Sequence, residues 1–229
     1  MSSPETSITI RMPNWVHWLL VLGAAAAGLV LGLLVKPFVR WIVDLIGEAP
    51  GPLRVAAELP VGWAVLVLTV VGALIGVWLS AEAAKESLVV TIGPTDVQLN
   101  QDGNARYLAK ADIGEVFYDR KELVFLDADT RELARNKATD LNREVLRESI
   151  ERFGYPWRGA SDPREQEFQQ WVDGRPDLVE EQQRLLRSRA RALRDKQRGT
   201  AAELAEQLQE AGVVVRDRAE AQEYRKLPR

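Results

Sequence analysis

The chain of 229 residues contains no cysteine and a single histidine. Without cysteine it can form no disulfide, no thiolate nucleophile and no cysteine-ligated zinc or iron–sulfur site. The histidine, His17, lies at the start of an apolar segment, so the remainder of the chain can supply neither a Ser-His-Asp triad nor a histidine-rich metal site. The net charge of −3 is close to neutral and neither favours nor excludes a polyanionic partner.

Carboxylates are the main catalytic groups that remain. Asp127 and Asp129 flank a predicted turn, and Asp112 and Glu115 are close in sequence. Such pairs are ordinary in turns, and no further catalytic group accompanies them. We therefore expect a protein that is not an enzyme, with no catalytic residues, no cofactor and no metal.

Two uncharged apolar runs, residues 15–35 and 61–81, dominate the first third of the chain. Each is about as long as a helix that crosses a bilayer, and the first is too long for an ordinary signal peptide. Tryptophans stand near the ends of the runs, as in aromatic belts: Trp15, Trp18, Trp41, Trp63 and Trp78. We predict an N-terminal tail over residues 1–14 and a two-helix transmembrane hairpin over residues 15–81.

The stretch between the runs, residues 36–60, is predicted to be an interfacial loop that begins with a short amphipathic helix. Basic residues near the membrane are slightly more frequent in this loop than on the terminal side: Lys36, Arg40 and Arg54 against Arg11 and Lys85. That count favours a cytoplasmic loop. The resemblance of the C-terminal region, described below, favours the opposite orientation, with both termini in the cytoplasm.

Each apolar run carries a GxxxG motif, formed by Gly28 and Gly32 in the first run and by Gly72 and Gly76 in the second. Glycines at this spacing let another helix approach closely. Three interpretations remain open. The two strips pack against each other within the hairpin, or they form a homodimer contact, or they reflect only the frequency of glycine in membrane helices.

After residue 86 the apolar pattern changes to a period of two, which is typical of strands. The strands are predicted over residues 88–92, 96–99, 107–109, 113–118, 123–127 and 132–136, with a hairpin turn at residues 101–104. A helix is predicted between the N-cap Asp140 and Gly154. Its apolar face would comprise Leu141, Val145, Ile150 and Phe153.

This order of short strands closed by one helix, over residues 87–157, resembles bacterial pleckstrin-homology-like (PH-like) domains. It is similar in particular to the YqeB family of membrane proteins, where such a domain directly follows two membrane spans. The resemblance implies a partly open β-barrel capped by a helix, more often a binding platform than an enzyme. Lys110, Arg120 and Lys121 could contact anionic lipid, although scattered charges at strand edges usually serve solubility.

The last region, residues 159–229, is predicted to be a small helical domain that ends in a β-hairpin. Asp162, Pro163 and Glu165 predict a helix that ends at Gly174. Two more capped helices are predicted, one from Asp177 to about residue 197 and one from Thr200 to Gly212. The predicted apolar faces comprise Phe168, Trp171 and Val172 in the first helix and Leu178, Val179, Leu186 and Leu193 in the second.

The tail, residues 200–225, resembles the C-terminal end of cysteinyl-tRNA synthetases, in which a helix ending in glycine precedes an apolar strand and a hairpin with an aromatic residue. The matching positions are Leu204, Leu208, Gly212, Val213, Val214, Val215, Asp217 and Tyr224. The chain departs from the pattern where Gln222 and Glu223 precede Tyr224, in place of Gly-Thr before Trp. The catalytic half of a synthetase is absent, so aminoacylation is excluded. The resemblance, which YqeB-family proteins share, implies the fold of an anticodon-side appendage.

Arginines recur at steps of three and four along the second predicted helix of this domain. They are Arg184, Arg187, Arg191, Arg194 and Arg198. On one continuous helix they would lie within a sector of about 80°, opposite the apolar face. Such a stripe could bind a phosphate backbone, anionic lipid or an acidic partner, or it could be a solvated face. No aromatic residue interleaves the stripe, so base stacking is not indicated.

The sequence thus predicts an α+β membrane protein with a transmembrane hairpin, a PH-like domain with a C-terminal helix and a small helical domain. The predicted function is that of a non-enzymatic, membrane-anchored binding or scaffold protein. It would present both domains at the cytoplasmic face of the cell membrane, with the bilayer and a protein as partners. The alternative is a membrane-tethered protein that binds RNA or tRNA.

Overall fold

The computed structural model describes residues 7–46, 61–218 and 221–228. Its helices are α1 (Asn14–Ile46), α2 (Val61–Glu86), α3 (Arg143–Arg152), α4 (Glu180–Arg194) and α5 (Arg198–Glu210). Its strands are β1 (Ile8–Ile10), β2 (Val89–Ile92), β3 (Asp96–Gln101), β4 (Asn104–Ala109), β5 (Glu115–Asp119), β6 (Glu122–Leu126), β7 (Glu132–Lys137), β8 (Gln169–Gln170), β9 (Val213–Arg218) and β10 (Ala221–Lys226). Two units result, one built on α1 and α2 and the other containing the sheets with α3, α4 and α5.

Helices α1 and α2 pack together along their glycines. A Cβ atom added to Gly28 would lie 2.1 Å from the carbonyl oxygen of Leu68, and one added to Gly72 would lie 2.4 Å from that of Ala24. At Gly32 and Gly76 the nearest backbone atoms would lie slightly farther away, at 2.6 and 2.7 Å, which is still too close for a Cβ atom. Of the arrangements that the sequence leaves open, the structure shows packing within one chain, and this contact occupies both glycine strips.

The first long helix continues beyond the predicted span. Helix α1 runs through Pro37 to Ile46, so the short helix expected at the start of the loop is the last part of α1 and no separate element. Phe38 and Trp41 stack there, with ring centroids 6.1 Å apart. The remainder of the predicted loop, residues 47–60, lies outside the described residues.

Residues 8–10, which precede α1, are part of a sheet. Strands β1, β2, β3 and β4 form a four-stranded sheet in that order, and β1 pairs antiparallel with β2, with Ile8 opposite Ile92. The prediction of a simple N-terminal tail was therefore wrong for residues 8–10, because a three-residue strand is too short for its period to be recognised. The predicted turn between β3 and β4 is confirmed by the positive φ angles of Asp102 and Gly103.

Strands β5, β6 and β7 form a second, antiparallel sheet, and α3 follows it. Four strands, then three, then a helix is an arrangement consistent with a PH-like domain. The N-cap of α3 is Asn142, whose side chain accepts two backbone N–H groups, and not the predicted Asp140. Leu141, Ile150 and Phe153 of the predicted apolar face are buried as predicted, whereas Val145 is 42% exposed and Leu146 is buried instead. Gly154, with φ of 69°, follows the end of α3 as predicted.

The third sheet has the order β8-β10-β9 and packs with α4 and α5 around Leu186, Leu208 and Tyr224. The predicted helix from Asp162 to Gly174 was wrong. Only Glu165–Glu167 form a single 3₁₀ turn, and β8 follows it. Pairing with β10 overrides the local helix signal here, because the backbone N–H of Trp171 donates to the carbonyl of Gln222 at 2.8 Å.

The helix predicted to reach residue 197 ends earlier, at Arg194, and the next predicted helix is α5. Lys196, with φ of 58°, lies in the left-handed region between α4 and α5, which begins at Arg198 rather than Thr200. Asp177 does not cap α4, because its carboxylate accepts the hydroxyl of Tyr224 at 2.7 Å. Of the predicted apolar face, Leu178 and Leu186 are buried as predicted, whereas Val179 is 62% exposed and Leu185 is buried.

Candidate functional site

A groove of about 810 Å³ lies between α4 and the edge of the third sheet. One wall consists of side chains from α4, and the other comes from β8, β9 and β10. The lining residues are Gln170, Trp171, Arg187, Ala190, Arg191, Leu193, Arg194, Asp217, Ala221 and Gln222. The groove therefore combines basic, amide and apolar groups around one acidic residue.

The groove brings together three of the five arginines of the predicted stripe. Arg187, Arg191 and Arg194 line it, whereas Arg184 is exposed on α4 and is not among the lining residues. Arg198 belongs to α5, because the helix is interrupted at Lys196. The stripe of five arginines on one helix was therefore wrong, and its central part is the basic wall of the groove.

The charges on this wall are not equivalent. Arg187 donates to Asp173 at 2.9 Å and also to Glu180, and these hydrogen bonds, with Glu180 the stronger influence, raise its pKa. Arg191 and Arg194 are exposed, and among the described residues neither forms an ion pair with an acidic side chain. The positive charge available to a ligand is thus concentrated at the C-terminal end of α4, where it also interacts favourably with the helix dipole.

An aromatic residue lies opposite the arginines. Trp171 reaches the groove from the segment after β8, and its indole N–H donates to the side-chain oxygen of Gln183 at 3.1 Å. Sequence reasoning missed this residue, because it placed Trp171 on the apolar face of a helix that does not form. Only the pairing of β8 with β10, which is not visible in local spacing, brings Trp171 to the groove.

The charge of Asp217, the acidic residue of the groove, is already compensated by an arginine. Arg189, only 7% exposed, donates to both carboxylate oxygens of Asp217 at 2.7 and 2.8 Å and to Gln222 at 2.7 Å. Arg189 lies outside the predicted stripe. The spacing of residues along the helix does not predict these hydrogen bonds of Arg189, because its partners lie on β9 and β10.

A second cluster of charges, the ion network, joins β5 to β9. It comprises Asp119, Asp162, Glu165, Arg216 and Arg218. Arg216 donates to Asp162 at 3.0 Å and to Glu165 at 2.8 Å, and Arg218 donates to Glu165 at 2.9 Å. Burial raises the pKa of Asp119, although the nearby Arg218 acts in the opposite direction.

The three carboxylates of the ion network have oxygen atoms within 4.8 Å of one another, which is close enough to share a cation. The guanidinium groups of Arg216 and Arg218, with that of Arg135 at 3.8 Å from Asp119, already supply three compensating charges. The arrangement is therefore explained as a structural contact between β5, the turn at Glu165 and β9.

Other groups considered in the sequence also have structural contacts. Arg164 donates to Glu115 at 2.5 and 3.1 Å, and this hydrogen bonding lowers the pKa of Glu115. Asp127 accepts the backbone N–H of Arg131 at 2.8 Å in the turn after β6. Lys110, a candidate for lipid contact, instead donates to the carbonyl of Phe153 and lies 5.1 Å from the ring centroid of Tyr155.

Comparison with known proteins matches two parts of the chain. Residues 8–158 match the family model of the YqeB-like bacterial PH domain, and residues 175–225 match that of the cysteinyl-tRNA ligase anticodon binding domain. The protein YqeB of Bacillus subtilis (strain 168) is 27% identical over 227 residues, which cover 99% of this chain and 94% of that protein. No solved structure matches the chain. The first family match includes β1, both long helices and the strands up to α3, and the chain therefore belongs to the family of proteins with a YqeB-like bacterial PH domain.

Proposed function

We propose that this chain is a non-enzymatic, membrane-anchored binding or scaffold protein. It presents the PH-like domain and the synthetase-tail-like domain at the cytoplasmic face of the cell membrane. The observation that carries this proposal is the pairing of β1, which precedes α1, with β2, which follows α2. The partners are the lipid bilayer and another protein.

Two properties of the long helices support membrane anchoring. Over Asn14–Phe38 and Gly62–Glu86 they are long and apolar enough to cross a membrane, and only 11% and 17% of their most apolar windows are buried. A core helix of a water-soluble protein would be mostly buried instead. Strand β1 directly precedes α1, strand β2 directly follows α2, and the two strands are hydrogen-bonded to each other. If α1 crosses a bilayer, α2 therefore has to cross back.

The remainder of the chain supports a binding role. The PH-like arrangement is a scaffold that hosts binding surfaces. Of the carboxylates considered as catalytic groups, Glu115 is engaged in an ion pair and Asp127 in a turn. The match of residues 175–225 to an RNA-associated domain supports the cytoplasmic side, whereas the basic residues of the loop favour the reverse.

The orientation can be tested cleanly, because the chain has no cysteine of its own. Ser161→Cys and Ala49→Cys would be made separately and labelled in intact cells with a membrane-impermeant maleimide; Ser161 is exposed, and Ala49 lies outside the described residues. We expect labelling at position 49 only, and labelling of both variants after permeabilisation. Labelling at position 161 only would contradict the cytoplasmic orientation, and labelling of both in intact cells would contradict the hairpin.

A second candidate function is RNA or tRNA binding. The family matched by residues 175–225 is named for anticodon binding, and arginines line the groove in that part of the chain. This function predicts salt-sensitive binding of RNA by the full chain. Binding would be weakened by Arg187→Glu combined with Arg194→Glu, and an RNA affinity that this double charge reversal leaves unchanged would eliminate the candidate.

A further inference from the structure

The edge of the third sheet provides backbone hydrogen-bonding groups beside the groove. Strand β8 is an edge strand, and Gln170 lies opposite Glu223 of β10. The next residue, Trp171, donates its backbone N–H to β10. Hydrogen-bonded positions alternate along an antiparallel pair, so the backbone N–H and C=O of Gln170 point away from β10. Gln170 is exposed and lines the groove, where an extended segment could pair with it.

The basic wall has a spacing that suits acidic side chains on such a segment. Arg191 and Arg194 are separated by about 4.5 Å along the axis of α4, and Arg187 and Arg191 by about 6 Å. Side chains two residues apart on an extended chain lie on the same face, about 6.6 Å apart. Two acidic residues at that spacing therefore fall within reach of two flexible arginine side chains.

Two of the polar groups that could read a nucleic acid base in the groove, those of Gln222 and Trp171, already have partners. Gln222 accepts from Arg189 and donates to the carbonyl of Leu186 at 3.3 Å. The indole N–H of Trp171 is bonded to Gln183. What remains is an apolar surface from Ala190 and Leu193 between a basic wall and a strand edge, which fits a peptide better than a base.

From these observations we propose that the groove binds an extended, acidic segment of a partner protein. The segment adds a strand to β8 at Gln170 and directs carboxylates two residues apart at Arg191 and Arg194. This inference rests on the proposed binding function and names the chemistry of the protein partner. Maleimide labelling tests the membrane anchor separately, so the failure of one proposal is distinguishable from that of the other.

The test is a selection from a phage-displayed library of random decapeptides, carried out on the full chain in lipid nanodiscs. We expect enrichment of peptides with two acidic residues at positions i and i+2. The variant with Arg191→Glu and Arg194→Glu should not enrich them, whereas Arg184→Glu, a charge reversal on the same helix outside the groove, should behave like the unmodified chain. No enrichment over empty nanodiscs, enriched peptides without the acidic pair, or equal enrichment on the double variant would overturn the proposal.

A second measurement uses an enriched peptide, fluorescently labelled, with binding followed by anisotropy. Gln170→Pro removes the outward N–H while leaving the bonds of β8 to β10 in place, as edge strands permit. We expect binding weakened about tenfold, because one backbone hydrogen bond is lost, with hydrogen exchange of β10 unchanged. Unweakened binding would overturn the strand-addition geometry.

Oligouridylate serves as the competing probe. If it binds to the unmodified chain, and if this binding is lost in the double variant but unaffected by Gln170→Pro, the groove is an RNA site and the peptide proposal is wrong.

Discussion

Helices α1 and α2 approach so closely that backbone atoms of Leu68 and Ala24 fill the space that side chains at Gly28 and Gly72 would need. Strands β5 and β9 are instead joined by long charged side chains: the guanidinium groups of Arg216 and Arg218 lie among three carboxylates. The helix contact depends on volume and the ion network on charge compensation. The two contacts should therefore fail under different perturbations.

The most damaging single change should be Arg216→Ala in the ion network. Arg216 and Asp162 each have side chains only 3% exposed, so the substitution leaves a buried carboxylate without its cation. Breaking a buried pair from one side costs about 3–5 kcal/mol. Hydrogen exchange of β9 in the full chain, in detergent micelles, should accelerate accordingly.

The matched control for this change is Arg120→Ala. Arg120 is 68% exposed and lies 4.0 Å from Glu165, at the margin of the same network. Exposed pairs of this kind contribute less than about 1 kcal/mol, so exchange in β9 should barely change. If both variants behave alike, burial is not what gives the network its strength.

The helix contact should be broken next by Gly28→Ala. The added methyl group would overlap the carbonyl of Leu68, and overpacking of this type costs about 1–3 kcal/mol. Thermal unfolding of the full chain in detergent would measure the loss, and exchange in β9 should stay unchanged. Gly23→Ala is the control, because nothing beyond the neighbouring backbone of its own helix lies within 4 Å of its added Cβ. Equal destabilisation by both would show that close helix approach is not the cause.

These two contacts also differ in how far the sequence predicts them. The glycine strips were found because residues four apart lie on one face of any helix, so Gly28 and Gly32 are recognisable locally. The ion network joins residues 119, 162 and 216, which no local period connects. The same limit explains the predicted helix over residues 162–174: its capping signal is real, but β8 forms because β10 offers a distant pairing partner. The three arginines of α4 that line the groove could thus be predicted, while Trp171 and the strand edge could not.

Acidification should distinguish the glycine contact from another ion pair of the chain, that of Arg164 with Glu115, with a smaller effect than either substitution. The hydrogen bond from Arg164 lowers the pKa of Glu115 from 4.5, so this carboxylate contributes stability that is present above that value and is lost as pH falls through the lowered pKa. Glu115→Gln should remove this contribution. Below pH 4.5, the stability difference between the unmodified chain and the variant should shrink in denaturant titrations, whereas the loss caused by Gly28→Ala should be independent of pH. A constant difference would contradict the assignment to Glu115.

The smallest loss of stability is expected for Glu206→Gln. This variant tests whether the ion network is stronger than an exposed ion pair because it is buried. Glu206 of α5 accepts from Arg106 of β4 at 3.0 Å, but the two side chains are 63% and 52% exposed. Arg106 keeps its bond to the carbonyl of Leu133 at 2.6 Å in this variant, so only the ion pair is removed. We expect a loss below about 1 kcal/mol that disappears at high salt, because exposed charges are screened. The loss caused by Arg216→Ala should persist at the same salt concentration. If high salt abolished the stability loss of both variants, the ion network would be held by the same screened attraction as an exposed ion pair. Burial would then not be the reason for its strength.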